Sequence, residues 1–266
     1  MLDQIKVIFI DLDGTLLNNK NEITKYSREI IQNAVQKGIY IILCSGRASK
    51  DIISKSKFVN ACPIIISDNG ALVYDYETKT NIYQSKIKLK ELIEIWNFTK
   101  ENNINIVYNS QLKRLKSKNS NKEGTIIYTA KEIEDNVTQI VVDTNNYDGI
   151  KKLKKLIETK YINLETKNFW EFTVANSNEV YFEMDITNKF NSKGNAINKV
   201  LGYLNIKKEN SACFGDQIND FSMFESCGIK ISMSNANYQL KQKADFITEY
   251  SNNEDGVAKF IEKYIL

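Results

Sequence analysis

The stretch from Val7 to Thr15, which reads Val-Ile-Phe-Ile-Asp-Leu-Asp-Gly-Thr, limits the possible folds more than any other part of this chain. Its consecutive apolar residues are rich in β-branching and predict a strand that is buried on both faces. The apolar run stops at two carboxylates, Asp11 and Asp13, and Gly14 then lets the chain turn away. Open parallel sheets place ligand sites at the carboxyl ends of their strands, so Asp11 is expected at such a site. Taken alone, these residues would also fit a strand that ends in a polar turn.

The rest of the chain predicts an α/β fold built from both of its ends. Near the start, predicted strands alternate with predicted helices, and the same alternation returns after residue 193. This order favours a parallel sheet with right-handed crossovers. The strands are predicted at 7–10, 40–44, 63–66, 212–214 and 229–233, and the helices at 24–37, 49–57, 194–201, 219–225, 235–243 and 256–264.

The middle of the chain follows a different pattern. After a hairpin at 71–83, residues 84–186 predict an α+β domain with an antiparallel sheet. The polar segment 113–124 is interpreted as a solvated loop, against the alternative of a phosphate-binding patch. We therefore expect residues 1–83 and 187–266 to form one domain, into which residues 84–186 are inserted. The inserted helices are predicted at 88–102 and 147–158, and the strands at 104–108, 125–129, 137–143, 161–165, 169–175 and 179–185.

Composition narrows the chemistry and the cellular context. The chain has 36 basic and 33 acidic residues, so its formal charge of +3 favours neither nucleic acid nor an anionic membrane as a partner. It contains no histidine, which excludes Ser-His catalysis and histidine-bound zinc and leaves carboxylates as the candidate catalytic and metal-binding groups. The four cysteines are widely spaced and are interpreted as buried free thiols. Without a signal peptide or a membrane-spanning stretch, the protein is expected in the cytoplasm.

Several short segments together resemble the motifs of the haloacid dehalogenase superfamily, whose members form a phospho-aspartate during phosphoryl transfer. The pattern is most similar to the Cof-type branch of sugar- and metabolite-phosphate phosphatases, and it covers the whole chain. It implies a Rossmann-like core with a C2-type cap as the inserted domain, a small phosphorylated metabolite as substrate, and Mg²⁺ as cofactor. The segments are Asp11-Leu12-Asp13-Gly14-Thr15, Ser45-Gly46-Arg47, Ser67-Asp68-Asn69-Gly70, Asn191-Ser192-Lys193-Gly194-Asn195 and Gly215-Asp216-Gln217-Ile218-Asn219-Asp220.

The resemblance assigns the reacting groups to three residues. Asp11 would be the nucleophile. Asp13 would protonate the leaving group and then deprotonate water, because a carboxyl group placed beside the nucleophile can serve first as an acid and then as a base. Lys193 would neutralise charge on the nucleophile and the phosphate. Mg²⁺ prefers oxygen ligands, which Asp11, Asp216 and the backbone carbonyl of Asp13 would supply.

The resemblance also assigns residues that bind the substrate. Ser45 and the backbone N–H of Gly46 would contact phosphoryl oxygens at the end of the second strand, where a nearby helix N-terminus also favours an anion. Arg47 is a candidate for contacting the leaving group. The full set of phosphate- and substrate-binding candidates is Leu12, Ser45, Gly46, Arg47 and Asn219.

Two polar residues are expected to orient these groups rather than to react. Thr15 would hydrogen-bond Asp13 or the turn around it, and Asp220 would hold Lys193 or a metal-bound water in place. Each motif also has an ordinary structural explanation, such as a turn, a surface lysine or a helix cap. The order of the motifs along the chain, at predicted strand ends and helix starts, favours the functional interpretation.

The sequence departs from the family pattern at three places. Gln217 stands where Asn is common, Ser234 stands where Gly is usual, and the segment 188–192 replaces a Gly-Val-Ser type of sequence. None of these changes removes a reacting group. The motifs leave two alternative functions open. One is a phosphosugar mutase that uses the same aspartyl-phosphate, and the other is a regulatory protein that keeps the fold without turnover.

Overall fold

The computed structural model describes residues 2–173 and 179–266 of the 266-residue chain. The chain divides into two compact units, one made of Met1–Tyr83 and Ser192–Leu266 and the other of Gln84–Asn191. We call them the core unit and the inserted unit. Each unit buries its own hydrophobic cluster.

The helices and strands alternate along most of the chain. In chain order they are β1 (Val7–Ile10), α1 (Lys25–Gln36), β2 (Tyr40–Leu43), α2 (Ser49–Val59), β3 (Ile64–Ser67), β4 (Leu72–Asp75), β5 (Thr80–Gln84), α3 (Leu89–Glu101), β6 (Asn105–Ser110), β7 (Arg114–Lys116), β8 (Thr125–Ile126), β9 (Val137–Thr144), α4 (Tyr147–Lys160), β10 (Leu164–Thr173), β11 (Val180–Asn188), α5 (Lys193–Leu204), β12 (Ser211–Gly215), α6 (Phe221–Ser226), β13 (Ile229–Ser232), α7 (Tyr238–Lys241), β14 (Phe246–Ile247) and α8 (Gly256–Tyr264).

A five-stranded parallel sheet forms the centre of the core unit, in the order β14-β13-β12-β1-β2. Strand β1 is buried along its whole length, as its apolar run predicts. It pairs on one side with β2 and on the other with β12, so that Ile10 lies opposite both Leu43 and Phe214. The predicted parallel α/β core is therefore confirmed, and the ends of β2, β1 and β12 are level with one another.

The third predicted strand, β3, runs parallel to β2 as predicted, but it belongs mainly to a second, smaller sheet. Strand β3 joins β2 through one parallel bridge, between Cys44 and Ile66, and otherwise pairs antiparallel with β4. The reason is the tight turn Asp68–Gly70, which reverses the chain at once and lets β4 follow alongside β3. Strand β5 continues this small sheet, so the predicted hairpin after residue 71 is present.

Local signals set the ends of several core helices. The side chain of Thr24 accepts a hydrogen bond from the backbone N–H of Ser27 and so caps α1, as predicted. Gly38, with a φ of 83°, follows that helix and lets the chain turn into β2. The terminal helix α8 has the bounds that its apolar spacing predicts.

The inserted unit is an α+β domain with a six-stranded sheet in the order β10-β11-β9-β6-β7-β8. Helices α3 and α4 bury their apolar sides together with alternate residues of the central strands, such as Tyr108 and Ile140. The pairs are antiparallel except for β7 with β8, which run parallel. This arrangement confirms the predicted class of the inserted domain.

Two details of the inserted unit differ from the sequence prediction. The strands predicted at 161–165 and 169–175 are one strand, β10, whose register shifts between Lys167 and Trp170 around Asn168. A bulge absorbs extra residues without ending a strand, so the polar residues there do not mark a turn. The last two residues of the second prediction, 174 and 175, lie outside the described residues. Within the predicted loop 113–124, the structure forms β7 and buries Ser120 against Asp143.

The four cysteines are free thiols, as predicted; three of them are buried, whereas Cys62 is partly exposed. Among residues 2–173 and 179–266, no helix is both long enough and apolar enough to cross a bilayer.

Candidate active site

The site lies where three neighbouring strands of the core sheet end. Asp11 follows β1, Ser45 comes shortly after β2, and Asp216 follows β12. Because Ile10 is level with Leu43 and Phe214, the polar residues after these strands emerge at the same edge of the sheet. This is the edge at which open α/β sheets bind ligands.

Lys193 joins two of the acidic groups at this edge. It is the first residue of α5, and the side chain of Ser192 caps that helix by accepting from the backbone N–H of Asn195. The Lys193 Nζ lies 2.5 Å from Asp11 Oδ1 and 2.7 Å from Asp220 Oδ1. All three side chains are at least nine-tenths buried. Buried charges require partners of opposite sign, and this triad supplies them.

Asp220 uses both of its carboxylate oxygens within the protein. While Oδ1 accepts from Lys193, Oδ2 accepts from the backbone N–H groups of Asp216 and Gln217, at 3.0 Å each. The carboxylate therefore fixes the lysine and also shapes the loop that presents Asp216. Of the two contacts expected for Asp220, with Lys193 or with a metal-bound water, the structure contains the one with Lys193.

Asp216 is held by two other side chains. Thr15 Oγ1 donates to its Oδ1 at 2.9 Å, and Gln217 Nε2 donates to its Oδ2 at 3.1 Å. The sequence predicted that Thr15 would hydrogen-bond Asp13 or the turn around it. In the structure its hydroxyl instead donates to Asp216, 201 positions away. Gln217, the departure from the family pattern, thus donates a hydrogen bond to a site carboxylate.

Three carboxylates crowd together in this site. Asp11, Asp216 and Asp220 each bring one oxygen within 4.8 Å of the others. Burial, with the neighbouring carboxylates adding to it, raises the pKa of Asp11 well above its usual range even though Lys193 opposes the shift. Burial and the nearby charge of Asp220 raise the pKa of Asp216 to about 6. One ammonium therefore does not balance three carboxylates, and the donor set is suited to a hard divalent cation.

Asp13 lies apart from this cluster and is paired with Arg47. Its carboxylate accepts two hydrogen bonds from the Arg47 guanidinium, from Nε at 2.7 Å and from Nη2 at 2.5 Å. The Nη2 group also donates to Asn21 Oδ1 at 2.8 Å. About half of the Asp13 side chain is exposed. Arg47, predicted to contact the leaving group, thus binds Asp13, the candidate general acid and base. The bidentate contact fixes the orientation of the Asp13 carboxylate.

The remaining predicted residues surround the strand ends. Ser45 is buried, and its Oγ accepts from the backbone N–H of Arg47 at 3.2 Å, which curls the loop around Gly46. Leu12 has a fully buried side chain, so only its backbone can face a ligand. Asn219 is exposed on the turn that leads to Asp220.

Asn235 was not predicted from the sequence as a site residue, although it directly follows Ser234, one of the departures from the family pattern. Its Nδ2 donates to the backbone carbonyl of Gly14 at 2.8 Å, and its Oδ1 accepts from the backbone N–H of Asn252 at 3.0 Å. Asn252 in turn donates to the carbonyl of Leu17. These bonds brace the loop after Asp13 from a segment more than 200 residues away, which no local pattern could reveal.

Comparison with known proteins decides the family. The sequence profile of the haloacid dehalogenase-like hydrolases matches residues 8–261 of this chain. The chain belongs to this family. The match runs from β1 into α8 and covers residues of both units of this haloacid dehalogenase-like hydrolase.

Similar proteins in the family have been named as phosphatases. Phosphatase YwpJ of Bacillus subtilis is 27% identical, and the alignment covers 97% of this chain and 99% of that protein. The 5-amino-6-(5-phospho-D-ribitylamino)uracil phosphatase YwtE of the same organism is 29% identical, with 98% of both chains covered. The aligned regions therefore include nearly all of each protein.

Solved structures of the family share the fold. A haloacid dehalogenase-like hydrolase from Bacteroides thetaiotaomicron superposes with a TM-score of 0.85 at 23% identity, covering 97% of this chain and 99% of that one. The subclass IIB sugar phosphatase BT4131 gives a TM-score of 0.77 at 22% identity, covering 98% and 100%. At these identities the likeness supports the fold, including its inserted domain.

Proposed function

We propose that this haloacid dehalogenase-like hydrolase is a Mg²⁺-dependent phosphatase that hydrolyses a small phosphorylated metabolite through an aspartyl-phosphate at Asp11. The observation that carries the proposal is the buried contact of Lys193 with Asp11 at a strand end, beside Asp216. Sugar phosphates are the leading substrate class, which agrees with the sugar phosphatase BT4131 and with the ribityl phosphate named for YwtE. A cytoplasmic location, where such metabolites occur, is part of the proposal.

The chain's own groups can perform both halves of the reaction. In the first, an Asp11 oxygen attacks phosphorus, the bond to the ester oxygen breaks, and Asp13, in its carboxylic acid form and released from its two hydrogen bonds with Arg47, gives that oxygen a proton. In the second, water attacks the phosphorus of the aspartyl-phosphate, Asp13 takes a proton from the water, and the Asp11 carboxylate is released. Lys193 neutralises charge on Asp11 and on the phosphoryl oxygens, while Ser45 and the Gly46 N–H bind those oxygens.

The donor set fits a magnesium ion. Asp11, Asp216 and the backbone carbonyl of Asp13 would hold it. Asp220 is already paired with the Lys193 ammonium and two backbone N–H groups, whereas Asp216 accepts only from the neutral side chains of Thr15 and Gln217. When bound, the ion supplies positive charge that screens the phosphate dianion from the attacking carboxylate. The raised pKa values of Asp11 and Asp216, caused first by burial and then by neighbouring carboxylates, agree with the assignment, because a bound cation would favour their ionised forms.

A metal-dependent screen tests this function directly. The purified protein is incubated with sugar, nucleotide and cofactor phosphates, and released phosphate is measured with Mg²⁺, with EDTA, and with Mg²⁺ added back. We expect hydrolysis that EDTA stops and Mg²⁺ restores. Full activity after thorough chelation would contradict the metal assignment. Product analysis with a bisphosphorylated sugar separates hydrolysis from a mutase, which would return the phosphoryl group to the substrate.

Binding of Mg²⁺ should depend on pH in a direction set by Asp216. The pKa of Asp216, about 6, lies above the ordinary 3.8, so folding favours the protonated form of this side chain. Protonated Asp216 therefore contributes to the free energy of unfolding of the metal-free protein at low pH, and this contribution is lost as the pH rises from about 4 to about 6. A divalent cation needs the ionised form. The rise in melting temperature caused by Mg²⁺ should therefore be small near pH 5 and larger near pH 7, as measured by thermal unfolding. Asp216→Asn should show little Mg²⁺ stabilisation at either pH; an unchanged effect would refute the ligand assignment.

Gly14 should be essential for the position of Asp216. Its φ is 80°, and a Cβ at this residue would lie 2.3 Å from Asp216 Oδ2. Gly38 is a matched control, because its φ is 83° and its Cβ would meet nothing within 4 Å. Both Ala variants suffer backbone strain of about 1–2 kcal/mol in unfolding free energy. We expect only Gly14→Ala to lower kcat/KM for p-nitrophenyl phosphate, by about 100-fold. Equal activity losses in both variants would mean that strain alone is responsible.

We further propose that the inserted unit selects the leaving group. The site residues described above all belong to the core unit and account only for the phosphoryl group. In the inserted unit, one row of polar residues crosses four strands in register: Glu165, Thr187, Gln139 and Asn109. Their chain neighbours, such as Ile140 and Tyr108, belong to the hydrophobic cluster, so the row lies on the other face of the sheet. Thr187, Gln139 and Asn109 are buried and Glu165 is partly exposed, so Glu165 is the member of the row that is open to a hydroxyl-rich leaving group.

Exchange of the inserted unit should transfer substrate preference. Gln84–Asn191 would be replaced by the matching segment of a related phosphatase with a known preference. We expect the chimera to take on the donor's ranking of sugar phosphates and to keep hydrolysis of p-nitrophenyl phosphate that requires Asp11. A folded chimera with the parental ranking would assign recognition to the core unit.

A further inference from the structure

The turn Asp68–Gly70, between β3 and β4, has no role in the mechanism proposed above. Its residues all have positive φ, of 52°, 55° and 90°. Left-handed backbone is costly for residues other than glycine and is cheapest for Asn and Asp. The turn is also buried, with Asn69 only 3% exposed. A buried run of left-handed residues persists only where surrounding contacts demand it, so these contacts indicate what the turn does.

The turn holds the loop that is proposed to bind phosphate. The backbone N–H of Asp68 donates to the carbonyl of Arg47 at 3.0 Å, and that of Asn69 donates to the carbonyl of Ser45 at 3.3 Å. These bonds lie on either side of Gly46. The Asn69 carboxamide lies directly against that glycine: a Cβ on Gly46 would come within 2.8 Å of Oδ1 and 3.0 Å of Nδ2.

The same turn contacts the start of the helix that carries Lys193. A Cβ on Gly70 would lie 2.2 Å from the carbonyl oxygen of Ser192 and 2.9 Å from the backbone nitrogen of Lys193. Both obstacles are backbone atoms. The turn therefore packs against the phosphate loop through Asn69 and against the first residue of α5 through Gly70.

We propose that Asn69 is a positioning residue for phosphoryl binding. Its carboxamide sets the position of Gly46, and the turn that carries it sets the distance between this loop and Lys193. This inference rests on the proposed phosphatase function, because it assumes that Gly46 binds phosphoryl oxygens.

The proposal also explains the glycine at position 46. The φ of Gly46 is not positive, so residues with a side chain can also adopt its backbone conformation. Contact with the Asn69 side chain is then the reason that a larger residue is not accommodated. If so, removal of the Asn69 side chain should remove the need for glycine.

A double-mutant cycle tests this coupling. The variants are Gly46→Ala, Asn69→Gly and the pair together, and the readouts are the inhibition constant of inorganic phosphate and the KM and kcat for p-nitrophenyl phosphate. We expect Gly46→Ala to weaken phosphate inhibition about tenfold in the native background and less than about twofold in the Asn69→Gly background. Asn69→Gly alone should raise the phosphate inhibition constant and KM more than it lowers kcat, because it loosens binding and leaves the reacting groups in place.

Asn60→Gly is the matched control. Asn60 also has a φ of 55° and ends α2 on the protein surface, so glycine there removes an asparagine from the same backbone conformation. We expect it to leave the phosphate inhibition constant unchanged, and both Asn→Gly variants to melt at similar temperatures. Asn69→Ser replaces Asn69→Gly in the cycle if the latter does not fold.

Two results would overturn the inference. One is an equal effect of Gly46→Ala in both backgrounds, which would show that Asn69 does not set the position of Gly46. The other is a lower melting temperature for Asn69→Gly with no change in phosphate inhibition, which would indicate a role in stability alone. Failure of the proposed function is distinguishable from both, because the native protein would then release no phosphate at all.

Discussion

Asp11→Asn should abolish hydrolysis while the protein stays folded. The amide keeps the shape of the side chain but lacks the charge that a nucleophile and metal ligand needs. We expect kcat/KM for p-nitrophenyl phosphate to fall at least about 1000-fold. The free energy of unfolding should stay equal or rise, because burial raises the pKa of Asp11 and its ionised form is therefore disfavoured in the fold. Kinetics and urea unfolding measure the two quantities.

A covalent mimic provides a second readout for the same residue. With Mg²⁺ and beryllium fluoride, the native protein should form an adduct at Asp11 that fluorine NMR detects, and Asp11→Asn should form none. Asp148→Asn is the control, because Asp148 is an exposed aspartate in the first turn of α4. It should behave like the native protein in every assay. Near-native activity in Asp11→Asn, or an adduct on another residue, would remove Asp11 from the nucleophile position.

Lys193→Met should combine a loss of activity with a loss of stability. Removing the ammonium leaves the carboxylates of Asp11 and Asp220 buried without their common partner. Breaking a buried ion pair from one side costs about 3–5 kcal/mol in unfolding free energy. We expect a loss of this size in urea unfolding near neutral pH, and hydrolysis below detection. The stability deficit should shrink as the pH falls, because Asp11, whose pKa rises further without Lys193, then takes up a proton.

The same helix offers a control for Lys193→Met. Lys199 is exposed on α5, where its ammonium lies over the ring of Tyr83. Lys199→Met should change the unfolding free energy by no more than about 0.5 kcal/mol and leave hydrolysis intact. If Lys193→Met were equally mild, the buried contact with Asp11 would have no energetic role.

The sequence allowed much of this site to be located because its chemistry begins at strand ends. An apolar run that stops at a polar residue is a local signal, and Asp11, Ser45 and Asp216 each come at the end of such a run. The parallel order of the strands then implied that these residues meet at one edge. The fold class and the α+β nature of the inserted domain followed from local periodicity, and the family followed from the resemblance of the motifs and of their order to those of a known family.

Contacts between distant residues were beyond that reasoning. Nothing near Thr15 in the sequence indicates that its hydroxyl reaches Asp216. The pairing of Arg47 with Asp13 depends on where two loops happen to approach each other. Strand pairing has the same limitation: a hydrophobic run predicts β3 but does not predict whether β2 or β4 is its main partner, because packing and register settle that choice.

The order of strands in the core sheet has a consequence for synthesis of the protein on the ribosome. Strand β1 lies between β2 and β12, whose residues are separated in sequence by the whole inserted unit. When Gln84–Asn191 has emerged, it is one continuous segment with its own hydrophobic cluster and can begin to fold. At that moment β1 still has one unpaired edge, and Asp11 has no lysine beside it. The cluster of Asp11, Lys193 and Asp220 therefore forms only after translation has passed residue 220. Until then, the apolar edge of β1 is open to pairing with other strands.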